Sequence, residues 1–131
     1  MGLICTVLGI WCATQAIVGH PRVVDGDTLA FGSTHVRLWG IDAPEMSDKL
    51  GRQARATMIQ AIGANEVKCI DTGARSHKRI VSRCYVGKGE LNAAMVMFGA
   101  ALDCPRYSKG EYRQIEPPGA RERIKQKKYC S

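Results

Sequence analysis

No pair of cysteines in this chain has the two-residue spacing that grips zinc; there are six cysteines and no CxxC, so the usual thiolate frame for that metal is missing. Aromatic residues are scarce, with two Phe, two Trp and four Tyr, few for a face that stacks one base after another. Acidic residues are outnumbered, 12 against 19 basic ones, leaving a net charge of +7 and an isoelectric point near 9.3. Such a balance suits a polyanionic partner. There is no internal repeat and no low-complexity linker, and 131 residues give room for one domain with one core. The longest apolar run lies in Met1–Ala16 and is about a dozen residues, short of the roughly 20 that a spanning helix needs.

That first segment, MGLICTVLGIWCATQA, carries no charged side chain. It has the apolar stretch of a secretory signal and ends in Thr14-Gln15-Ala16, a small-residue cleavage site, although it lacks a basic start. MGLICT also fits the loose pattern for N-myristoylation. The expectation is a signal peptide over 1–16, a single domain over 17–131, and a secreted or periplasmic protein. Removing the leader removes Cys5 and Cys12 and leaves four cysteines, an even number that allows three pairings. Cys69 and Cys84 fall in successive strand-like runs. The expected bridges are therefore Cys69 to Cys84 and Cys104 to Cys130.

Alternation of apolar and polar residues from Pro21 to Ile41 predicts strands near Arg22–Val24, Leu29–Phe31 and His35–Ile41, with a hairpin turn at Gly32-Ser33. Leu50, Ala54, Met58 and Ile62 recur every four residues, predicting a helix over Asp48–Ile62 that stops at Gly63. Strands are expected at Glu66–Ile70 and Ile80–Val86, with a polar loop at Asp71–Lys78 between them. A short helix is expected over Leu91–Phe98, then a loop over Cys104–Glu116 and a basic helix from Pro117 or Pro118. Together these predict an α+β domain, mainly β: a small antiparallel barrel with about three helices packed on it. The stretch from Pro105 to Ser131 holds eight Lys or Arg against three Glu, five of the seven net positive charges. Lys125, Lys127 and Lys128 read either as a phosphate-attracting tail or as an ordinary solvent-facing helix surface.

The densest chemistry lies between residues 25 and 45, where Asp25-Gly26-Asp27-Thr28, Arg37 and Asp42-Ala43-Pro44-Glu45 set four acids around one arginine. Asp27 and Asp42 offer the hard oxygens that a divalent cation prefers, and Arg37 offers a planar fork for phosphate oxygens. Glu45 is spaced to act as a separate base, while Asp25 reads as a turn former.

VVDGDT at 23–28, VRLWGIDAPE at 36–45, Arg79 opening RIVSRCYV, and LNAAMVMFGAA at 91–101 together resemble the staphylococcal nuclease (thermonuclease) family over about residues 21–115. The resemblance implies a five-stranded OB-fold barrel and calcium-dependent cleavage of DNA or RNA that leaves 3′-phosphate ends. It implies Ca²⁺ ligation by the Asp27 and Asp42 carboxylates and the Ala43 carbonyl, activation of water by Glu45, and a grip on the phosphate by Arg37 and Arg79. His77, Lys78 and Tyr107 are the expected substrate contacts. Ala43 replaces a threonine common in the family, at a position where only the carbonyl is needed. His77-Lys78 replaces tyrosine-glycine, and Pro117-Pro118-Gly119 interrupts a region where the family runs a longer helix. The expected partner is nucleic acid, acted on by a monomer with no stable protein partner and no membrane span. The alternative is a noncatalytic nucleic-acid-binding OB-fold module.

Overall fold

The computed structural model describes the backbone of residues 2–7 and 10–131 and the side chains from Gln15 onward. The leader expected over 1–16 therefore falls largely outside the described side chains. Along the backbone, strands β1 (Gly2–Val7), β2 (Ile10–Gly19), β3 (Arg22–Asp25), β4 (Thr28–Phe31), β5 (Thr34–Leu38) and β6 (Ile41–Asp42) precede helix α1 (Lys49–Ile62). Strands β7 (Val67–Ser76), β8 (Arg79–Val86) and β9 (Gly89–Glu90) lead into α2 (Leu91–Met97). Strand β10 (Leu102–Asp103), helix α3 (Pro105–Ser108), helix α4 (Ala120–Arg123) and two single 3₁₀ turns complete the chain.

The main sheet runs β1-β2-β7-β8-β5-β4-β3, with β9 on β8. β2, next to one edge, continues through His20-Pro21 into β3, the strand at the other edge, so the sheet is curled in the manner of an OB-fold. Residues Ala16–Gly19 already belong to it, pairing with Ile70 back to Val67. The expected all-antiparallel barrel is corrected at one seam, where β5 and β8 run parallel, with Arg37 opposite Val81. The chain has returned through α1 and β7 by then, so β8 runs in the same sense as β5. A second, two-stranded sheet pairs β10 with β6 and sets Leu102 opposite Asp42.

Helix α1 forms where its spacing predicts. The Asp48 carboxylate caps it by accepting from Leu50 N–H at 3.0 Å, and Gly63 ends it. Ala54, Met58 and Ile62 enter the main core with Leu29, Val36, Leu38, Val67 and Met95. Leu50 instead packs against a second cluster of Leu102, Ala120 and Ile124, which fixes the C-terminal segment to the body. Asn92, fully buried, accepts from Cys84 N–H at 3.0 Å and donates to the Trp39 carbonyl at 2.8 Å. It thereby locks α2 to β8 and to the turn that precedes Asp42.

Several expected boundaries move. The strand expected over His35–Ile41 breaks at the Trp39-Gly40 turn, and Asp42 sits on a separate short strand. The expected loop over Asp71–Lys78 is mostly strand, since β7 extends to Ser76 with a register shift between Asp71 and Arg75. His77 and Lys78 form the hairpin tip, both with positive φ. The expected loop over Cys104–Glu116 contains α3 and a 3₁₀ turn at Arg113–Ile115. The expected basic helix shrinks to Ala120–Arg123, after which the chain runs extended over the site. Both expected disulfides are present, Cys69–Cys84 across paired strands and Cys104–Cys130 between the end of β10 and the C-terminus.

Candidate active site

Two glycines determine how closely the acidic segments approach one another. A side chain on Gly26 would stand 2.7 Å from the Ala54 methyl and 2.8 Å from the Ala43 methyl, and one on Gly51 would stand 1.7 Å from the Glu45 carbonyl oxygen. Gly26 has no positive φ among the described residues, so what it supplies is space and not a left-handed turn. The β3–β4 turn can then lie against α1 and the segment after β6. Asp25 holds this turn by accepting from Asp27 N–H at 3.0 Å, as a turn former should.

Asp27 is buried, and its Oδ2 accepts from Ala43 N–H at 3.0 Å and faces Arg37 at 3.4 Å. Burial raises its carboxyl above the ordinary carboxylate range, and the nearby Arg37 only partly offsets this. Arg37, from β5, donates to the carbonyls of Leu38 at 2.7 Å and Ile41 at 2.9 Å, and to the Tyr129 hydroxyl at 3.1 Å. Burial opposes its charge, but Asp27, Tyr129 and Asp42 outweigh that and hold the guanidinium above its usual value. Arg79, the first residue of β8, reaches back across the sheet to the Thr28 hydroxyl at 2.9 Å and holds the Ser76 carbonyl and hydroxyl at 3.1 and 3.0 Å. Its position follows from the parallel β5–β8 register and brings both arginines to one cleft.

That cleft encloses about 570 Å³ and is lined by Asp27, Arg37, Ala43, Glu45, His77 and Arg79, together with Tyr107, Lys127 and Tyr129. Glu45 is exposed, with 69% of its side chain accessible, so its carboxylate meets solvent at the cleft. Lys78 is not among the lining residues, since the turn carries it away from the cleft that His77 faces. Asp42, 1% exposed, is covered by the C-terminal segment. Lys127 N–H donates to its Oδ2 at 2.9 Å, and the Lys127 ammonium donates to its Oδ1 at 2.7 Å and to the Ala43 carbonyl at 2.5 Å. The same ammonium lies 3.6 Å from Glu45 Oε1. Burial works against the Lys127 charge, but the bond to Asp42 prevails and raises it above the ordinary lysine value.

Of the two readings of the lysine tail, a phosphate-attracting segment or a solvent-facing helix surface, the second is corrected at Lys127, which is bound to Asp42, and Tyr129 joins the site unanticipated. The sequence did contain a signal for both, since a bridge between Cys104 and Cys130 ties the tail to the end of β10, beside Asp42. The three donors read as cation ligands are all oxygens, the chemistry that hard divalent cations select. Among the described residues, no three acidic, histidine or cysteine side chains are grouped to hold a metal, so the Ala43 carbonyl would have to complete the two carboxylates.

A curled OB-like sheet whose cleft gathers two arginines, the buried Asp27 and an exposed glutamate, with the buried Asp42 bound to Lys127 beside it, defines a narrow class of protein. A family model described as staphylococcal nuclease homologue matches residues 35–129, and the chain belongs to that family. The match includes Arg37, Asp42, Glu45, Arg79 and the Lys127–Tyr129 segment; Asp27 precedes it. An uncharacterized endonuclease of Haemophilus influenzae is 31% identical over 111 residues, covering 81% of this chain and 62% of that protein. The succinoglycan biosynthesis protein ExoI of Rhizobium meliloti is 26% identical over 116 residues, covering 79% of this chain and 61% of that protein. The chain therefore spans less than two thirds of the length of these curated relatives.

Proposed function

We propose that this protein is a calcium-dependent nuclease that hydrolyses phosphodiester bonds of DNA or RNA and leaves 3′-phosphate ends. The observation that carries the reading is the meeting, in one cleft, of Asp27, Arg37 and Glu45 from one short stretch with Arg79 from a strand far along the chain. Asp27, Asp42 and the Ala43 carbonyl would hold Ca²⁺, which supplies positive charge beside the phosphate. Arg37 and Arg79 bind the non-bridging oxygens and neutralise charge as phosphorus becomes five-coordinate. Glu45 would remove a proton from the attacking water as the new P–O bond forms, and the bond to the 5′ oxygen breaks, that oxygen taking a proton from solvent to leave as the 5′-hydroxyl. His77 and Tyr107 flank the entering strand, and Lys78 meets phosphate farther along it. The two disulfides support an oxidising compartment, secreted or periplasmic, and the basic tail supports attraction of a polyanion.

The test is hydrolysis of DNA and RNA by the full chain in Ca²⁺ and in EDTA, with Glu45→Ser alongside. Cleavage in Ca²⁺ that EDTA abolishes, reduced on the order of 100-fold or more in the variant, is the expected result. Equal rates for wild type and Glu45→Ser would refute the catalytic reading and leave a nucleic-acid-binding module.

A further inference from the structure

Lys127 is held over the cation seat from both sides. On one side Gln126 Nε2 donates to the Asp103 carbonyl at 2.6 Å; on the other, Cys130 is bridged to Cys104. Both anchors belong to the segment that begins with β10, whose Leu102 is the strand partner of Asp42. The strap therefore has a fixed register relative to Asp42. From that register a single residue engages both Asp42 oxygens, one through its backbone N–H and one through its ammonium. The ammonium also takes the Ala43 carbonyl and faces Glu45, while Tyr129 takes an N–H of Arg37.

We propose that the C-terminal strap is a tethered plug of the cation seat, in which the Lys127 ammonium and a divalent cation are alternative occupants of the oxygens of Asp42 and Ala43. This rests on the reading of those oxygens as cation ligands. A monovalent ammonium balances the buried Asp42 carboxylate and keeps the metal-free protein folded around it, since an unpaired buried charge is strongly unfavourable. It leaves the Asp27 carboxylate to Arg37 and Ala43 N–H. A divalent cation that takes both carboxylates must displace it, and the Lys127 side chain, 23% accessible, can swing to solvent while Gln126 and Cys130 keep the strap in place. The site then rests closed, with its base and one arginine engaged by the strap, until the cation concentration is high enough to exchange it. Because only the unplugged fraction binds, the apparent affinity falls by that fraction.

The experiment is calorimetric titration of the metal-free full chain with CaCl₂, for wild type and Lys127→Met, with thermal melts and DNA hydrolysis on the same samples. The expected result is Ca²⁺ binding tighter by about ten- to a hundred-fold in the variant, the equilibrium weight of a charge-assisted contact. Its metal-free melting temperature should fall and recover when Ca²⁺ is added. If Lys127→Met does not fold without metal, Lys127→Gln keeps a neutral donor for the Ala43 carbonyl and is titrated instead, with the same expectation. Equal affinities in wild type and variant overturn the plug and leave the nuclease reading intact. No Ca²⁺ binding in either, with wild-type cleavage in EDTA that the variant loses, overturns it in favour of Lys127 as the resident cation. No binding and no cleavage in either removes the plug and the nuclease reading together.

Discussion

At the scale of residues, the site sets ionised groups in places that penalise them. Asp27 shows this most clearly, because burial raises its carboxyl and Arg37 restores only part of what is lost. A carboxyl with a raised folded pKa binds more protons in the native state than in the unfolded one. Stability is therefore highest below the ordinary carboxylate range and is lost as pH rises through the raised value. Asp27→Asn mimics the protonated form, so at neutral pH and without cation it should melt higher than the wild type. Its melting temperature should also decline less than that of the wild type as pH is raised from 4 toward 7. Nuclease activity should be lost in the same variant, a trade-off expected where function requires a strained ligand.

At the scale of elements, positioning depends on close approach. Gly51 lets the first turn of α1 lie against the Glu45 carbonyl, which in turn accepts from Asp48 N–H at 2.9 Å. Gly51→Ala places a methyl inside that oxygen's contact radius, and should cost about 2 kcal/mol or more in denaturant unfolding while reducing kcat through Glu45. The elements themselves were largely legible, because α1 and the β3–β4–β5 hairpins announce themselves through period and turn chemistry. The parallel β5–β8 seam was not, since it depends on the path of the chain through α1 and β7, which local periodicity does not encode. The extended tail escaped for a similar reason. The arginines, lysines and glutamine after Pro117-Pro118-Gly119 carry a helical composition, but Gln126 and Lys127 are held by Asp103 and Asp42, partners that lie more than twenty residues upstream.

At the scale of the whole molecule, the catalytic reading and the fold share one scaffold. Asp27, Arg37 and Asp42 were legible as a set because a short stretch contains them, and Arg79 became so only through the family resemblance. Their convergence is a property of the curled sheet. The Cys104–Cys130 bridge closes a 26-residue separation, and replacing both cysteines by serine should cost about 3 kcal/mol, read as a lower denaturant midpoint. That change should also loosen the strap and move Ca²⁺ affinity in the same direction as Lys127→Met. The central claim is that a distant strand delivers the second phosphate-binding arginine to the acidic cluster. It is tested most directly by the rate of DNA hydrolysis in saturating Ca²⁺ for Arg79→Ala, with Arg113→Ala, an exposed arginine outside the cleft, as control. The account predicts a loss on the order of 100- to 1000-fold for Arg79→Ala and an unchanged rate for the control; an Arg79→Ala protein that cleaves at the wild-type rate would contradict it.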